Sequence, residues 1–262
     1  MGILNVTPDS FSDGGRWFAF DRAVEHGRVL IAEGADIVDV GGESTRPRAE
    51  PVSVDEELRR VVPVVRALRA AEVQISIDTA KLSVAEAAVD AGATFVNDVT
   101  AFRQDPELAG FVADRRCDCC LMHMLGEPRT MQDDPRYDDV VDDVRAFLEE
   151  RVEFAVREGV REERIMVDPG IGFGKTLDHN LELLRRLDEI VALGFPVMVG
   201  TSRKSFLGRL TGRDDPHDRI AATVATTVLA LERGATVFRV HDVAPTKDAL
   251  TVATATLRAD GA

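Results

Sequence analysis

The sequence predicts an α/β chain folded as a single (β/α)8 TIM barrel over residues 1–262. Three observations carry this expectation. Eight short β-rich runs alternate with amphipathic stretches, which calls for a parallel sheet, and eight units is the number that closes a barrel. The length of 262 residues fits an architecture that typically takes roughly 250. No Gly/Ser-rich or Pro-rich linker divides the chain, so one domain is expected. A doubly wound open sheet is the alternative topology.

The elements follow in order. The first run, 3–6, is apolar and leads into a polar stretch. The helical stretch 22–31 ends at Gly34-Ala35, a helix stop that feeds the second run at 36–40. Stretch 54–70 repeats apolar residues at helical spacing and feeds 73–77. Stretch 84–91 stops at Gly92-Ala93 before 94–96, and the fifth run, 119–122, holds two of the three cysteines. Stretches 140–156, 181–193 and 219–231 precede runs 165–167, 196–199 and 237–240, the last after Gly234-Ala235. Stretch 247–257 completes the alternation.

Composition narrows what such a barrel can do. Asp and Glu number 46 against 32 Lys and Arg, a net charge of −14, and aromatic residues make up 5%. Nucleic-acid binding, which needs a basic footprint and stacking rings, is not expected. No run approaches the roughly 20 apolar residues that span a bilayer, so no membrane partner is expected either. The first basic residue is Arg16, which leaves no charged start for a signal peptide. The three cysteines, Cys117, Cys119 and Cys120, are odd in number and too close for a disulfide framework. A cytoplasmic location is expected. The 28 Arg and four Lys, with 27 Asp and 19 Glu, suit a salt-accumulating or high-GC organism. They also make Lys175 and Lys204 stand out.

Barrels of this kind carry chemistry at the C-terminal ends of their strands. Those ends hold Asn5, Asp39, Asp78, Asn97-Asp98, His123, Asp168, 202–204 and 239–242. Carboxylates and amides beside Lys and Arg suit a nitrogen-rich heterocycle joined to an anionic group. The Gly-rich segment from Asp168 to Thr176 fails the Walker A spacing, because its first glycine position falls on Pro169. Its three glycines still let a flat ligand approach the backbone, and Lys175 supplies a positive charge there. Ser202, Arg203 and Lys204 follow an apolar strand. A plain helix start disfavours cations, so they are expected to face an anion or a ligand carbonyl. Alternation points Arg239 and His241 the same way, a pair suited to phosphate. The cysteine cluster ending in His123 lacks further ligands and reads as buried small side chains rather than zinc. The acidic run 133–143 reads as a solvated helix start. Loops 7–20 and 41–53 are long enough to act as lids.

Taken together, these motifs resemble the dihydropteroate synthase family over essentially the whole chain. They occur in order: Gly2-Ile-Leu-Asn-Val-Thr-Pro-Asp-Ser-Phe-Ser-Asp-Gly-Gly15, then Asp39-Val-Gly-Gly-Glu-Ser-Thr-Arg-Pro47. Ser76-Ile-Asp-Thr79, Asn97-Asp-Val99, Asp168 to Lys175, Ser202-Arg-Lys-Ser-Phe206 and Arg239-Val-His-Asp-Val243 follow. The resemblance implies joining of 6-hydroxymethyl-7,8-dihydropterin pyrophosphate to 4-aminobenzoate, with loss of pyrophosphate and help from Mg2+. It implies pterin contacts at Asp78, Asn97, Met122, Asp168 and Lys204. Arg46, Arg239 and His241 would grip the diphosphate, and Thr45, Pro47, Phe173 and Ser202 would border the aminobenzoate, where sulfonamides compete. Asn5 would help hold the magnesium. Asp9, Phe11 and Asp13 lie in the closing first loop, with Asp9 grouped with Asp78, Lys204, Arg239 and His241 as catalytic. A homodimer is implied as well.

The chemistry agrees. An aniline nitrogen is a weak nucleophile, so catalysis must come from stabilising the departing diphosphate. No side-chain nucleophile is required or visible. Two departures stand out: the first strand begins at Met1, which puts the barrel floor in question, and Arg48 replaces the glycine usual after Arg-Pro. The alternatives are a pterin-dependent methyltransferase domain passing a methyl group to a corrinoid, a catalytically silent paralogue, and a Schiff-base lyase using Lys204. The Ser-Thr-Arg-Pro loop and Ser-Arg-Lys-Ser-Phe segment favour the synthase.

Overall fold

The computed structural model describes residues 1–7, 16–46 and 49–259. Eight parallel strands stand where the runs predict them: β1 Gly2–Asn5, β2 Ile37–Gly41, β3 Gln74–Asp78, β4 Phe95–Asp98, β5 Asp118–Met122, β6 Ile165–Asp168, β7 Met198–Val199 and β8 Val237–Phe238. Strands β1 to β6 form one sheet in sequence order, and β7 pairs with β8. Two parallel bridges join these sheets into a ring. Val167 bridges to Val197 and Gly2 bridges to Val240. Backbone amides of Val167 and Ile3 donate to the Pro196 and Val240 carbonyls at 3.0 and 2.9 Å. The chain is the (β/α)8 barrel that the alternation predicts.

The helices fill the crossovers: α1 Arg16–Ala32, α2 Val54–Leu68, α3 Leu82–Ala91, α4 Glu107–Arg115, α5 Val140–Arg157, α6 Leu177–Arg185, α7 Leu187–Val191, α8 Ser205–Thr211, α9 Ile220–Glu232 and α10 Val243–Ala259. Their starts are sequence-coded. Ser53 caps α2 through the Glu56 amide, Asp139 caps α5 through the Val141 and Asp142 amides, and Thr176 caps α6 in a box with His179.

Three expectations need correction. Stretch 181–193 is two helices that break at Arg186, whose guanidinium is drawn to Asp139 and Glu189 at 2.7 Å each. Helices α4 and α8 were not foreseen, because nine- and seven-residue segments give too few turns for a clear period. The acidic run 133–143 is a helix start only in its second part: 133–138 lies ahead of the helix, while Asp139 caps α5 and Asp142 and Asp143 stand in its first turn.

Strand alternation separates two cores. Side chains facing outward, such as Val38, Val40, Ile75, Ile77, Cys119 and Leu121, pack under the helices. Met1, Phe95, Cys120 and Met198 pack inside the ring with Ile37, Met166 and Val237. No described helix is long and apolar enough to cross a membrane.

Candidate active site

One step along the strands from that inner apolar layer, the inward side chains become polar. Asp39, two residues after Ile37, is fully buried. It accepts hydrogen bonds from Ser76 Oγ at 2.6 Å, Asn97 Nδ2 at 3.0 Å and Arg239 Nε at 2.6 Å. Arg239 reaches across the ring with its other arm, donating from Nη2 to Asp78 Oδ2 at 2.7 Å. Strands β2, β3, β4 and β8 are thus tied by one charged network. Burial, opposed by Arg239 and reinforced by the Asp39 and Glu57 carboxylates, pushes the Asp78 carboxyl up to about 7. Burial works against the Arg239 charge, yet Asp39 and Asp78 raise its pKa further, so it stays protonated.

Asp168 ends β6 and is 4% exposed, accepting from the Gly170 amide at 2.7 Å. Its pKa is raised by burial and held back by Lys204 and that amide. Lys204 lies at the N-cap of α8, a helix start, where a cation is disfavoured. The conflict resolves because its side chain leaves the helix: Nζ donates to the Ile171 carbonyl and sits 4.7 Å from the centroid of Phe173. Burial pulls its pKa down to about 8, against Asp168. Met122 packs with Val99, Met124, Met131 and Phe173 as an apolar wall beside these polar groups.

His241 shares a hydrogen bond between Nδ1 and Ser202 Oγ at 3.0 Å. Burial, helped by Arg203 and Arg239, lowers its pKa to about 3, and Arg46 adds to that effect from the second loop. Strand β8 ends at Phe238, and beyond it Arg239 turns to Asp39 and Asp78 while His241 turns to Ser202. Arg203, at φ 58°, grips Asp242 with Nε and Nη2 at 2.9 and 2.6 Å, which locks the seventh loop to the eighth. Asn5 is half-buried at the end of β1. Its Oδ1 and Asp78 Oδ2 both lie beside Gly41, 3.7 and 3.6 Å from where a Cβ there would stand.

The second loop carries Thr45, half-buried, and Arg46, exposed. Its base is clamped by Lys81, whose Nζ donates to Glu43 Oε2, Glu57 Oε2 and the Val52 carbonyl at 2.5, 2.6 and 2.6 Å. Asp9, Phe11, Asp13, Pro47 and Arg48 lie outside the described residues.

The structure therefore brings together Asp78, Asn97, Met122, Asp168, Lys204, Arg239, His241, Ser202 and Phe173. Two residues singled out in the sequence, one at a strand end and one in the sixth βα loop, do not join them. His123 turns outward, edge-on to Phe147 with centroids 4.8 Å apart. Lys175 is 3% exposed and points to His123 Nδ1, at 2.8 Å, rather than offering a charge to a ligand. Asp39, the hub of the network, received no role from the sequence. Its signal was present: an acid two residues after Ile37, on the same face of an otherwise apolar strand.

A rim of buried carboxylates, one Asn, one Lys and one Arg can hold a heterocycle bearing both donors and acceptors. Arg239, His241 and Arg46 add an anion-binding side. Among the described residues no group of three or more His, Cys, Asp or Glu could hold a metal. With the geometry established, known proteins give a consistent comparison. The model of the family described as pterin binding enzyme matches residues 1–241. A dihydropteroate synthase from Synechocystis sp. is 46% identical over 244 residues, covering 93% of this chain and 84% of that protein. The Xanthomonas albilineans dihydropteroate synthase, solved with 4-aminobenzoic acid, matches with a TM-score of 0.93 at 51% identity, covering 98% of this chain and 92% of that one. The Burkholderia cenocepacia dihydropteroate synthase, complexed with 7,8-dihydropteroate, matches with a TM-score of 0.89 at 49% identity, covering 99% and 91%.

Proposed function

The chain belongs to the pterin-binding enzyme family, and on that premise we propose that it is a transferase of folate biosynthesis. It condenses 6-hydroxymethyl-7,8-dihydropterin pyrophosphate with 4-aminobenzoate to give 7,8-dihydropteroate and pyrophosphate. The observation that carries this reading is the buried polar ring of Asp39, Asp78, Asn97 and Asp168 around Arg239, next to Lys204.

The pterin's donor edge meets the carboxylates of Asp78 and Asp168, the Asn97 amide fixes its register, and Lys204 faces a ring acceptor. Met122 supplies an apolar face. Charged hydrogen bonds in so dry a site are strong, because water does not compete. The diphosphate lies toward Arg46, Arg239 and His241. Because His241 is held neutral, it serves as a donor or acceptor rather than as a fixed cation. The 4-aminobenzoate occupies the side bounded by Thr45, Phe173 and Ser202.

In the reaction the methylene C–O bond to diphosphate breaks and a C–N bond to the aniline forms. The aniline proton leaves to solvent or to the departing diphosphate. The electron-rich dihydropterin spreads positive charge from the methylene carbon, and the nearby Asp78 carboxylate stabilises it. Arg239 stabilises the growing negative charge on the leaving group. Asn5 fits a hard cation: it offers one oxygen, with Asp78 Oδ2 close by, and Mg2+ is usually held by one or two protein oxygens plus substrate phosphate. When bound there, Mg2+ supplies further neutralisation of the diphosphate. Two copies forming a homodimer, and a cytoplasmic location, complete the proposal.

The test is a pyrophosphate-release assay with both substrates, with and without Mg2+, at low and molar salt. Release that needs both substrates and the metal is expected. Pterin binding without release under any condition would move the reading to a pterin-dependent methyltransferase or a silent paralogue.

A further inference from the structure

The sixth βα loop, between β6 and α6, is held in an unusual way. Its four successive backbone carbonyls, at residues 171–174, each accept from a different side chain. Ile171 accepts from Lys204 Nζ. Gly172 accepts from Gln132 Nε2 at 2.6 Å, Phe173 from Lys175 Nζ at 3.0 Å, and Gly174 from Tyr137 Oη at 2.7 Å. A turn of ordinary type would satisfy such carbonyls from its own backbone or from water. Here the donors come from the connection after β5, from the loop after β7 and from within the loop itself.

Sterics show why the loop has this path. Gly170, at φ 67°, would place a Cβ 1.8 Å from the His123 carbonyl oxygen, and Gly174, at φ 64°, would place one 2.7 Å from Leu125 Cβ. The loop is therefore pressed against residues 123–125, and only glycine passes there. Buried behind it, Lys175 spans His123 Nδ1 and the Phe173 carbonyl, 6.0 Å from the Tyr137 ring centroid. The Asn180 Oδ1 atom accepts from the Gly172 amide at 2.6 Å and fixes the loop from the helix side.

We propose that Gln132, Tyr137 and Lys175 are positioning residues for the 4-aminobenzoate side of the reaction. They touch no substrate. By anchoring three consecutive carbonyls they set the place of the Phe173 ring, which packs beside Lys204 and closes the aminobenzoate side. This inference rests on the synthase reading given above. It predicts a split in kinetic constants: loosening the anchors disturbs Phe173 and leaves the ring of Asp39, Asp78, Asn97 and Arg239 intact.

The experiment uses Tyr137→Phe, Gln132→Leu and Lys175→Met in the full chain. Removing one such hydrogen bond should raise the KM for 4-aminobenzoate about threefold to tenfold. The KM for the pterin substrate should stay within about twofold in Tyr137→Phe and Gln132→Leu, because the side-chain hydrogen bonds they remove reach only the loop backbone. Lys175→Met also removes a charge felt by Asp168, so it is read by loop exchange and the 4-aminobenzoate KM. Amide hydrogen exchange in residues 170–175 should accelerate in each variant, with strands β2 to β4 unchanged. In Tyr137→Phe and Gln132→Leu, parallel rises in both KM values, or no change in either value, would overturn the proposal. Should Lys175→Met not fold, Tyr137→Phe, which deletes a single oxygen, decides the matter. Wild-type protein that releases no pyrophosphate would be a failure of the synthase reading. Loop exchange unchanged in Tyr137→Phe would then overturn the anchoring as well.

Discussion

Inside one barrel, two layers sit a single alternation step apart and follow opposite rules. The layer of Met1, Phe95, Cys120 and Met198 is dry and apolar, and close packing holds it. The layer of Asp39, Asp78, Asn97, Asp168 and Arg239 is almost as buried but charged, and hydrogen bonds hold it. A buried ion network of this kind contributes little net stability, since desolvation offsets most of the attraction. Its proposed part in ligand binding accounts for its persistence. The strand axis thus separates stability from chemistry, and the two layers should respond differently to substitution.

The largest effect expected is at the crossing point. Arg239→Ala removes the cation shared by Asp39 and Asp78 and the charge proposed to face the diphosphate. Turnover should fall by about 100-fold or more, and Lys204→Ala by well over tenfold. Steady-state pyrophosphate release measures both. Wild-type-like rates in both variants would mean that the charged layer is not the reacting site.

That layer was only partly legible in the sequence. Strand ends are read from the change of apolar run to polar residue, and this placed Asp78, Asn97, Asp168 and Arg239 correctly. Asp39 reads in the sequence as one more strand end, whereas it lies in mid-strand, and its place as hub shows only with the partners Ser76, Asn97 and Arg239 around it. Lys175 and His123 failed for a related reason. Sequence shows that a charged group stands at the mouth, whereas its direction depends on the path of a loop that only the packing against residues 123–125 fixes. A cation is disfavoured near the helix axis at a helix start, but the long Lys204 side chain carries its charge away to the Ile171 carbonyl.

A second test sharpens the contrast through pH. Asp78 must be ionised to accept from the pterin donor edge, and its carboxyl is pushed up to about 7 by burial. Lys204 must be charged to face a ring acceptor, and its pKa is pulled down to about 8. Affinity for 6-hydroxymethyl-7,8-dihydropterin, measured calorimetrically without Mg2+, should therefore weaken below about 7 as Asp78 gains its proton. It should weaken again above about 8 as Lys204 loses one, with each limb approaching tenfold per pH unit. Asp78→Asn should erase the acid limb and Lys204→Met the alkaline one. A flat profile in the wild type would break the assignment of both groups.

A smaller effect is expected at the Lys81 clamp, which lies beside the charged layer but faces the second loop. Lys81→Met leaves Glu57, which is fully buried, with Thr79 Oγ1 as its remaining described side-chain donor at 2.8 Å. The melting temperature should drop, because an unpaired buried carboxylate is costly. The KM values for 4-aminobenzoate and for the pterin pyrophosphate should each rise about twofold to fivefold as Thr45 and Arg46 lose their fixed base, while kcat holds. A fall in kcat as large as that of Lys204→Ala would show that the clamp reaches the reacting atoms.

The smallest effect on catalysis is expected in the apolar layer, and it bears most directly on the comparison. Phe95, 2% exposed, stands two residues before Asn97 on the same strand face, so its removal opens space directly beneath the charged network. Phe95→Ala should cost about 3–5 kcal/mol of stability, read from denaturant unfolding. The strand backbones that carry both layers are nonetheless held by register on both sides: Phe95 pairs with Ser76 and Asp118, Asn97 with Asp78 and Cys120. A cavity below therefore should not shift the Asn97 amide from Asp39. Per folded molecule, both KM values and kcat should stay within about twofold of wild type. A variant that stays folded yet loses pterin affinity would show that packing beneath the site, and not the hydrogen bonds within it, sets the position of the charged layer.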